Sequence, residues 1–306
     1  MSESVSRRAL LQRAAAAGVA LALPGPLAAC IKEAPRPSGG PDQTRLREWT
    51  AALEEEGLSQ SRMPLGRSVV RVGELARGTP YEPGTLDAYL LSGGDPQREP
   101  LTLSLTRFDC VTLVEACLSV SRVAARTPTW EQFGGEIERM RYRGGARDGY
   151  ASRLHYFSEW ISDGERRGLV RDLGRELGGV EDSRPLRFMT EHRSKYAALA
   201  DNRVFQEIRD VERRLDGQPR RVIPTKRLPQ IVERLETGDV LAFATEISGL
   251  DVTHAALAYR ATNGELRVLH APLSGGVVEV TRTTVPEYVA AIRHSTGVLV
   301  ARPLWI

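Results

Sequence analysis

Three residues in this sequence are of types that together can cut an acyl bond. Cys110 stands in "TRFDCVTLVEACLSV", directly after an acid and directly before an apolar-periodic run. His254 and His270 stand far downstream, in "VTHAALAY" and "VLHAPLSGG". A thiol serves as a nucleophile when one imidazole takes its proton and a third group holds that imidazole in place. A free cysteine is also a common core filler, so the elements that carry these residues have to decide between the two.

Asp109 is a good N-cap, and Leu113, Val114, Cys117, Leu118 and Ser121 share one face at helical spacing. The pattern predicts a helix from Cys110 to about Ala125, stopped by Thr127-Pro128. Cys110 then falls in the first turn, where unpaired backbone N–H groups and the helix dipole favour a thiolate. Cys117, two turns deeper on the buried side, reads as core. A disulfide between the two is excluded on such a helix. Seven residues rise about 10 Å, beyond the roughly 7 Å over which Cα atoms can be bridged.

The histidines fall among strand signals separated by Gly and Asn turns, with strands expected over 239–245, 253–261, 265–272 and 276–282 as an antiparallel meander. Thr262-Asn263-Gly264 suits a three-residue hairpin with Gly264 in the left-handed position. That turn pairs Ala261 with Glu265 and Ala256 with His270. His254 and His270 then share one face on diagonal positions roughly 7 Å apart. A two-residue turn would put them on opposite faces.

Other candidates carry less. Arg153 and His155 lie in "SRLHYFSEW", where Leu154, Phe157 and Ile161 would be the buried side of a helix; both read either as substrate contacts or as internal hydrogen-bond partners. His192 and His294 read as surface residues. A zinc site built from His155, His254 and His270 has no close HxxxH or HxxE spacing and leaves Cys110 without a role. Neither a metal nor another cofactor is expected.

Around these residues the chain predicts an α+β fold. Helices over about 45–56 and 65–76 lead in, and the Cys110 helix packs on an antiparallel sheet from the carboxyl-terminal third. Between them, 129–228 reads as a mostly helical insertion with a helix about 195–215, and Gly144, Gly145 and Gly149 suggest a loop near the site. In 306 residues, 41% apolar and 26% charged is an ordinary globular composition. The formal charge is +3, and setting aside the first thirty residues leaves 39 basic against 38 acidic. No basic stripe with interleaved aromatics appears, so nucleic acid is not an expected partner. Nothing in the sequence speaks to oligomeric state.

The amino terminus reads as an export signal over residues 1–30. Its apolar stretch, Ala14 to Leu23, is about ten residues, too short for a bilayer core of roughly 30 Å. Ser6-Arg7-Arg8-Ala9-Leu10-Leu11 resembles a twin-arginine signal, and Leu27-Ala28-Ala29-Cys30 resembles a bacterial lipobox in which Cys30 is lipidated. The expectation is a protein anchored in the bacterial envelope, on the periplasmic side, through Cys30. Residues 31–44, rich in Pro, Gly and polar residues, read as a disordered tether, and 45–306 as a single domain.

"FDCVTLVE", "GDVLAF", "VTHAALAY" and "VLHAPLSGGVV" resemble, in order, the NlpC-type branch of the papain-like cysteine hydrolases, which cut bacterial cell-wall peptides. "FDCVTLVEACLSV", "MRYRGG", "ASRLHYFSEWI", "RFMTEH" and "GLDVTHAAL" resemble more closely a bacterial family described as N-acetylmuramoyl-L-alanine amidase-like, over about 65–306. The resemblance implies a papain-like core, with Cys110 as nucleophile, His254 as general base and His270 as the group that orients it. Gly78-Thr79-Pro80-Tyr81 resembles the segment whose tyrosine lies beside the nucleophile, although Tyr81 is farther from the cysteine than in the simplest members. Tyr81, Asp109, Arg153 and His155 are the candidate substrate contacts. The implied activity is hydrolysis of a peptidoglycan amide, either the sugar-to-L-alanine bond or one within the stem peptide. A catalytically silent envelope-binding lipoprotein is one alternative. An acyl hydrolase or transferase on lipids or thioesters with the same fold is the other.

Overall fold

A computed structural model describes residues 40–273 and 276–306; the export signal, Cys30 and most of the expected tether lie outside the described residues. Among the described residues the α-helices are α1 (Pro41–Glu55), α2 (Leu65–Leu75), α3 (Ala88–Leu91), α4 (Cys110–Ala124), α5 (Trp130–Arg141), α6 (Phe157–Arg166), α7 (Phe188–Glu191), α8 (Asn202–Leu215), α9 (Leu228–Ile231) and α10 (Val285–Ala291). The strands are β1 (Val170–Asp172), β2 (Val180–Asp182), β3 (Arg220–Pro224), β4 (Val240–Thr245), β5 (Val252–Arg260), β6 (Leu266–His270), β7 (Glu279–Thr284) and β8 (Ser295–Pro303). They form one antiparallel sheet in the order β2-β3-β8-β4-β5-β6-β7, with β1 also paired to β8.

The sheet is apolar on both faces, which is why β4 reads as the unbroken run VLAFAT and is buried throughout. Ala242, Ala244, Ala255, Leu257 and Leu269 join the core formed with α1, α2, α4 and α5. Leu241, Phe243, Ala256, Ala258 and Val268 face the other way, onto Val285 and Val289 of α10 and onto α9. Helix α4 is thus enclosed by helices and by the alanine-lined face of the sheet. Gly73 lets α2 lie close on β6: a Cβ there would come 2.7 Å from Leu269 Cδ1.

The meander holds the expected register. Leu257 pairs with Leu269 and Arg260 with Leu266, the Ala261 N–H donates to Glu265 O at 2.8 Å, and Gly264 closes the turn at φ +87°. Other boundaries differ. The first helix starts at Pro41, four residues before the expected start and inside the assigned tether, because proline suits the first helical position and Asp42 complements the helix start. The helix expected from about 195 starts at Asn202, where Asp201 caps it by accepting from the Arg203 and Val204 N–H groups. His155 precedes α6 rather than riding on it.

Two larger differences concern the sheet. Strand β8 was not foreseen, yet it sits between β4 and β3, with Val298, Val300 and Ala301 fully buried. The insertion 129–228 is not only helical, since β1, β2 and β3 come from it and extend the sheet.

Candidate active site

Helix α4 begins with a reciprocal cap. Asp109 is extended (φ −95°, ψ −175°), its carboxylate accepts the Thr112 N–H at 2.8 Å, and Thr112 Oγ1 accepts the Asp109 N–H at 2.8 Å. This fixes Cys110 at the first helical position, partly exposed, with the backbone N–H groups of Cys110 and Val111 turned to its sulfur. The backbone N–H of Ala255 on β5, the residue directly after His254, also favours the charged form of this thiol.

Strand β5 carries a bulge at this point. Phe243 pairs with His254, but Ala244 pairs with Val252, so Thr253 is the extra residue. Bulges of this kind re-aim neighbouring side chains. The His254 ring stacks on Phe243 (centroids 5.7 Å, 22°) and its Nε2 lies 2.8 Å from His270 Nδ1. Tyr288 Oη, from α10, approaches the same Nδ1 at 3.3 Å. Glu279, the cross-strand partner of His270, has Oε1 3.7 Å from His270 Nε2. That nitrogen has no hydrogen-bond partner among the described residues, and His270 is 1% exposed.

Burial dominates the proton affinities. It pushes the Cys110 thiol up to about 12, helped by the Asp109 charge and opposed by the three backbone N–H groups. It pulls His254 down to about 4, and it pulls His270 to about 3 with the His254 charge adding to the effect. These shifts favour a neutral thiol and neutral imidazoles, whereas the helix start taken alone favours a thiolate. A helix terminus contributes about 0.3–1 kcal/mol, less than it costs to bury an unpaired charge.

Tyr81 joins this cluster through its backbone. Its N–H donates to Gly276 O (2.8 Å), the Phe108 N–H donates to Pro80 O (3.0 Å), and the Glu82 N–H donates to Phe108 O (2.9 Å). The segment is thereby laid between the strand end at 276–278 and the residues before Cys110. The long sequence gap to Cys110 is spanned by the fold. Burial raises the Tyr81 phenol, with the Cys110 and Asp109 charges contributing.

Arg153 and His155 are held elsewhere. The Arg153 guanidinium donates to Glu99 at 3.0 and 2.8 Å and to Asp87 at 2.8 Å, and it lies 4.7 Å over the Tyr150 ring. Its donors are largely committed to the protein. His155 Nε2 lies 2.9 Å from Tyr150 O. A carbonyl only accepts, so Nε2 carries the proton and Nδ1 is left as an acceptor. Cys117 is wholly buried, and both described cysteines are free thiols. Among the described residues no three His, Cys, Asp or Glu side chains gather as metal ligands.

Sequence reasoning missed Phe243, Tyr288 and Glu279. The signal for Tyr288 was present: Thr284-x-x-Glu287 is a capping box with Pro286 beside it, and Tyr288 follows in the first turns of the helix it starts. Glu279 follows from continuing the meander one strand further, although an irregularity in β7 between the partners of Arg267 and Leu269 hides the register.

The architecture is α+β, with an antiparallel sheet that carries His254 and His270 and helices packed on both of its faces. The family described as N-acetylmuramoyl-L-alanine amidase-like matches residues 71–297, and this chain belongs to it. Among solved structures it is similar to an N-acetylmuramoyl-L-alanine amidase from Bacteroides uniformis, 28% identical over 78% of this chain and 99% of that one, with a TM-score of 0.72. It is also similar to a Bacteroides fragilis protein carrying a xylanase description, 30% identical over 76% of this chain and 99% of that one, with a TM-score of 0.67. A Legionella pneumophila protein, 18% identical over 86% and 94% with a TM-score of 0.62, shares the fold. No curated protein matches the sequence.

Proposed function

We propose that this chain is a cysteine hydrolase with an NlpC-type, papain-like core that cuts an amide bond of peptidoglycan. One observation carries the reading. Cys110 sits at a helix start where the Ala255 N–H, next in the chain after His254, acts on its thiol, and His254 Nε2 lies 2.8 Å from His270 Nδ1. A nucleophile on α4, a base on β5 and an orienter on β6 would be the parts that covalent catalysis needs, which supports the reading.

The step order follows from the neutral resting pair. His254 has only Nδ1 free, and it takes the Cys110 proton as sulfur bonds to the amide carbonyl carbon. Charge develops on the carbonyl oxygen, where the N–H groups of a helix start, which lack intrahelical acceptors, can meet it. The C–N bond breaks as the imidazolium gives its proton to the leaving amine. Water, deprotonated by His254, then cleaves the thioester and restores the thiol. The twin-arginine-like signal and Cys30 support export and lipid anchoring on the periplasmic side of the envelope, where this substrate lies.

Incubation of purified sacculi with the protein, followed by mass spectrometry of the soluble fragments, tests the reading. New amine or carboxyl ends are expected with the wild type and not with Cys110→Ser, and their position identifies the bond cut. Intact sacculi and muropeptides after incubation with folded wild type would sink the proposal.

A further inference from the structure

His254 can receive the thiol proton only in one arrangement of hydrogens. With Nε2 engaged by His270, its remaining nitrogen is Nδ1, which must carry a lone pair; Nε2 must then carry the hydrogen and donate it to His270 Nδ1, 2.8 Å away. His270 Nδ1 is in that case an acceptor, and its own hydrogen sits on Nε2.

The site also permits the reverse arrangement. If His270 carries its hydrogen on Nδ1, that N–H can donate to His254 Nε2 and share itself with Tyr288 Oη at 3.3 Å. His254 then carries its hydrogen on Nδ1 and cannot act as a base. The inner end of the relay offers partners to both tautomers. The choice falls to the outer end, where His270 Nε2 is buried without a hydrogen-bond partner among the described residues. A buried donor or acceptor left unpaired there costs about 1–3 kcal/mol, so a partner at this end decides between the tautomers.

One acceptor faces that nitrogen. Glu279 pairs with His270 across β6 and β7, so both side chains leave the same face of the sheet, and Glu279 Oε1 lies 3.7 Å from His270 Nε2. The other titratable groups near the relay are Cys110 on α4, Tyr288 on α10 and His254 on β5. The phenol approaches the inner nitrogen, and the Glu279 and Cys110 charges both act on that phenol.

We infer that Glu279 is a positioning residue of the relay: it accepts the Nε2–H of His270 and so leaves the His270 Nδ1 lone pair for His254. The carboxylate side chain is half exposed and needs to approach by about 0.8–1 Å to make a charge-assisted hydrogen bond. No bond is made or broken in this role. Glu279 sets which nitrogen holds each hydrogen before substrate arrives, and it opposes the positive charge when His254 becomes an imidazolium. The relay extends from three members to four.

This inference rests on the hydrolase reading for its purpose but not for its test. Long-range ¹H–¹⁵N correlation spectra of the full-length protein, labelled at histidine, distinguish the two tautomers of His270. The wild type is expected to show His270 protonated at Nε2. Glu279→Ala should move it towards Nδ1, while Glu279→Gln, whose amide oxygen also accepts, should retain Nε2. On sacculi fragments Glu279→Ala should lower kcat on the order of tenfold with KM little changed, below the 10²–10⁴ of a general base, and Glu279→Gln should recover most of it. A wild-type spectrum with His270 protonated at Nδ1, or the same tautomer in wild type and Glu279→Ala, would overturn the assignment. Absence of turnover by wild type with the expected spectra would instead strike the hydrolase reading and leave the tautomer relay standing.

Discussion

Cys110 and Cys117 have the same side chain on the same helix, and only their depth separates them. Cys117 lies wholly inside the core with its thiol pushed far up by burial, while Cys110 is partly exposed at the first helical position, with three N–H groups on its sulfur. Cys110→Ser should abolish turnover without unfolding the protein. Cys117→Ala should keep most turnover and cost about 1–2 kcal/mol as a small core cavity, read from the urea midpoint. Equal loss of turnover in two folded variants would mean that chemistry is not confined to the helix start. At this scale the sequence was legible wherever one local pattern fixed a position. Asp109 before an apolar period located Cys110, and a Gly at the right place in one turn put both histidines on one face. Arg153 was not legible, because its role depends on Glu99 and Asp87, far from it in sequence and brought to it only by the fold.

Helix α4 starts with an acid that does two opposed things. Asp109 caps the helix through Thr112, and its charge adds to burial in holding the Cys110 thiol up. Asp109→Asn keeps an oxygen for the Thr112 N–H and removes the charge. The apparent pKa of Cys110 should fall, so that iodoacetamide alkylation at a fixed pH below it runs about two- to fivefold faster, the effect of a few tenths of a pKa unit or more. Asp109→Ala should show the same change in the thiol and also lose about 1 kcal/mol of stability with the cap. The measurement is the pH profile of alkylation with Cys117 replaced. Superimposable profiles for wild type and Asp109→Asn would show that burial alone sets the thiol. The β4–β7 meander was readable because each pairing is local and each turn carries its own signal. Strands β1, β2, β3 and β8 were not, since β3 and β8 meet across a long stretch of chain and neither alternates clearly enough to name its partner.

The molecule as a whole is predicted to hang from one residue and to weaken in acid from its buried histidine pair. If Cys30 is the lipid anchor, Cys30→Ala should move the protein from the membrane fraction to the soluble fraction of cells, because no helix among the described residues is long and apolar enough to span a bilayer. Retention through a high-salt wash would contradict the anchor. The acid response follows from the relay. Burial holds His254 at about 4 and His270 at about 3, against about 6.5 in an unfolded chain. As pH falls from 6.5 towards 4, the unfolded chain binds protons that the folded one refuses, so the stability present above pH 6.5 is progressively lost. At about 1.4 kcal/mol per pKa unit, His254 alone accounts for roughly 3 kcal/mol of that loss, and the two rings titrate as a pair. His155, also held well below its usual range by burial, adds to the same slope, while the buried carboxyls of Glu115 and Asp251, raised by burial, oppose it. Those three are unchanged in a His254→Asn/His270→Asn variant, so the difference between the two proteins isolates the relay. Urea midpoints measured from pH 7.5 to 4 should fall more steeply for the wild type than for the double variant, with the curves diverging below pH 6.5. Parallel curves would mean that the folded site accepts protons as readily as water does, and the neutral resting pair on which the mechanism depends would have to be given up.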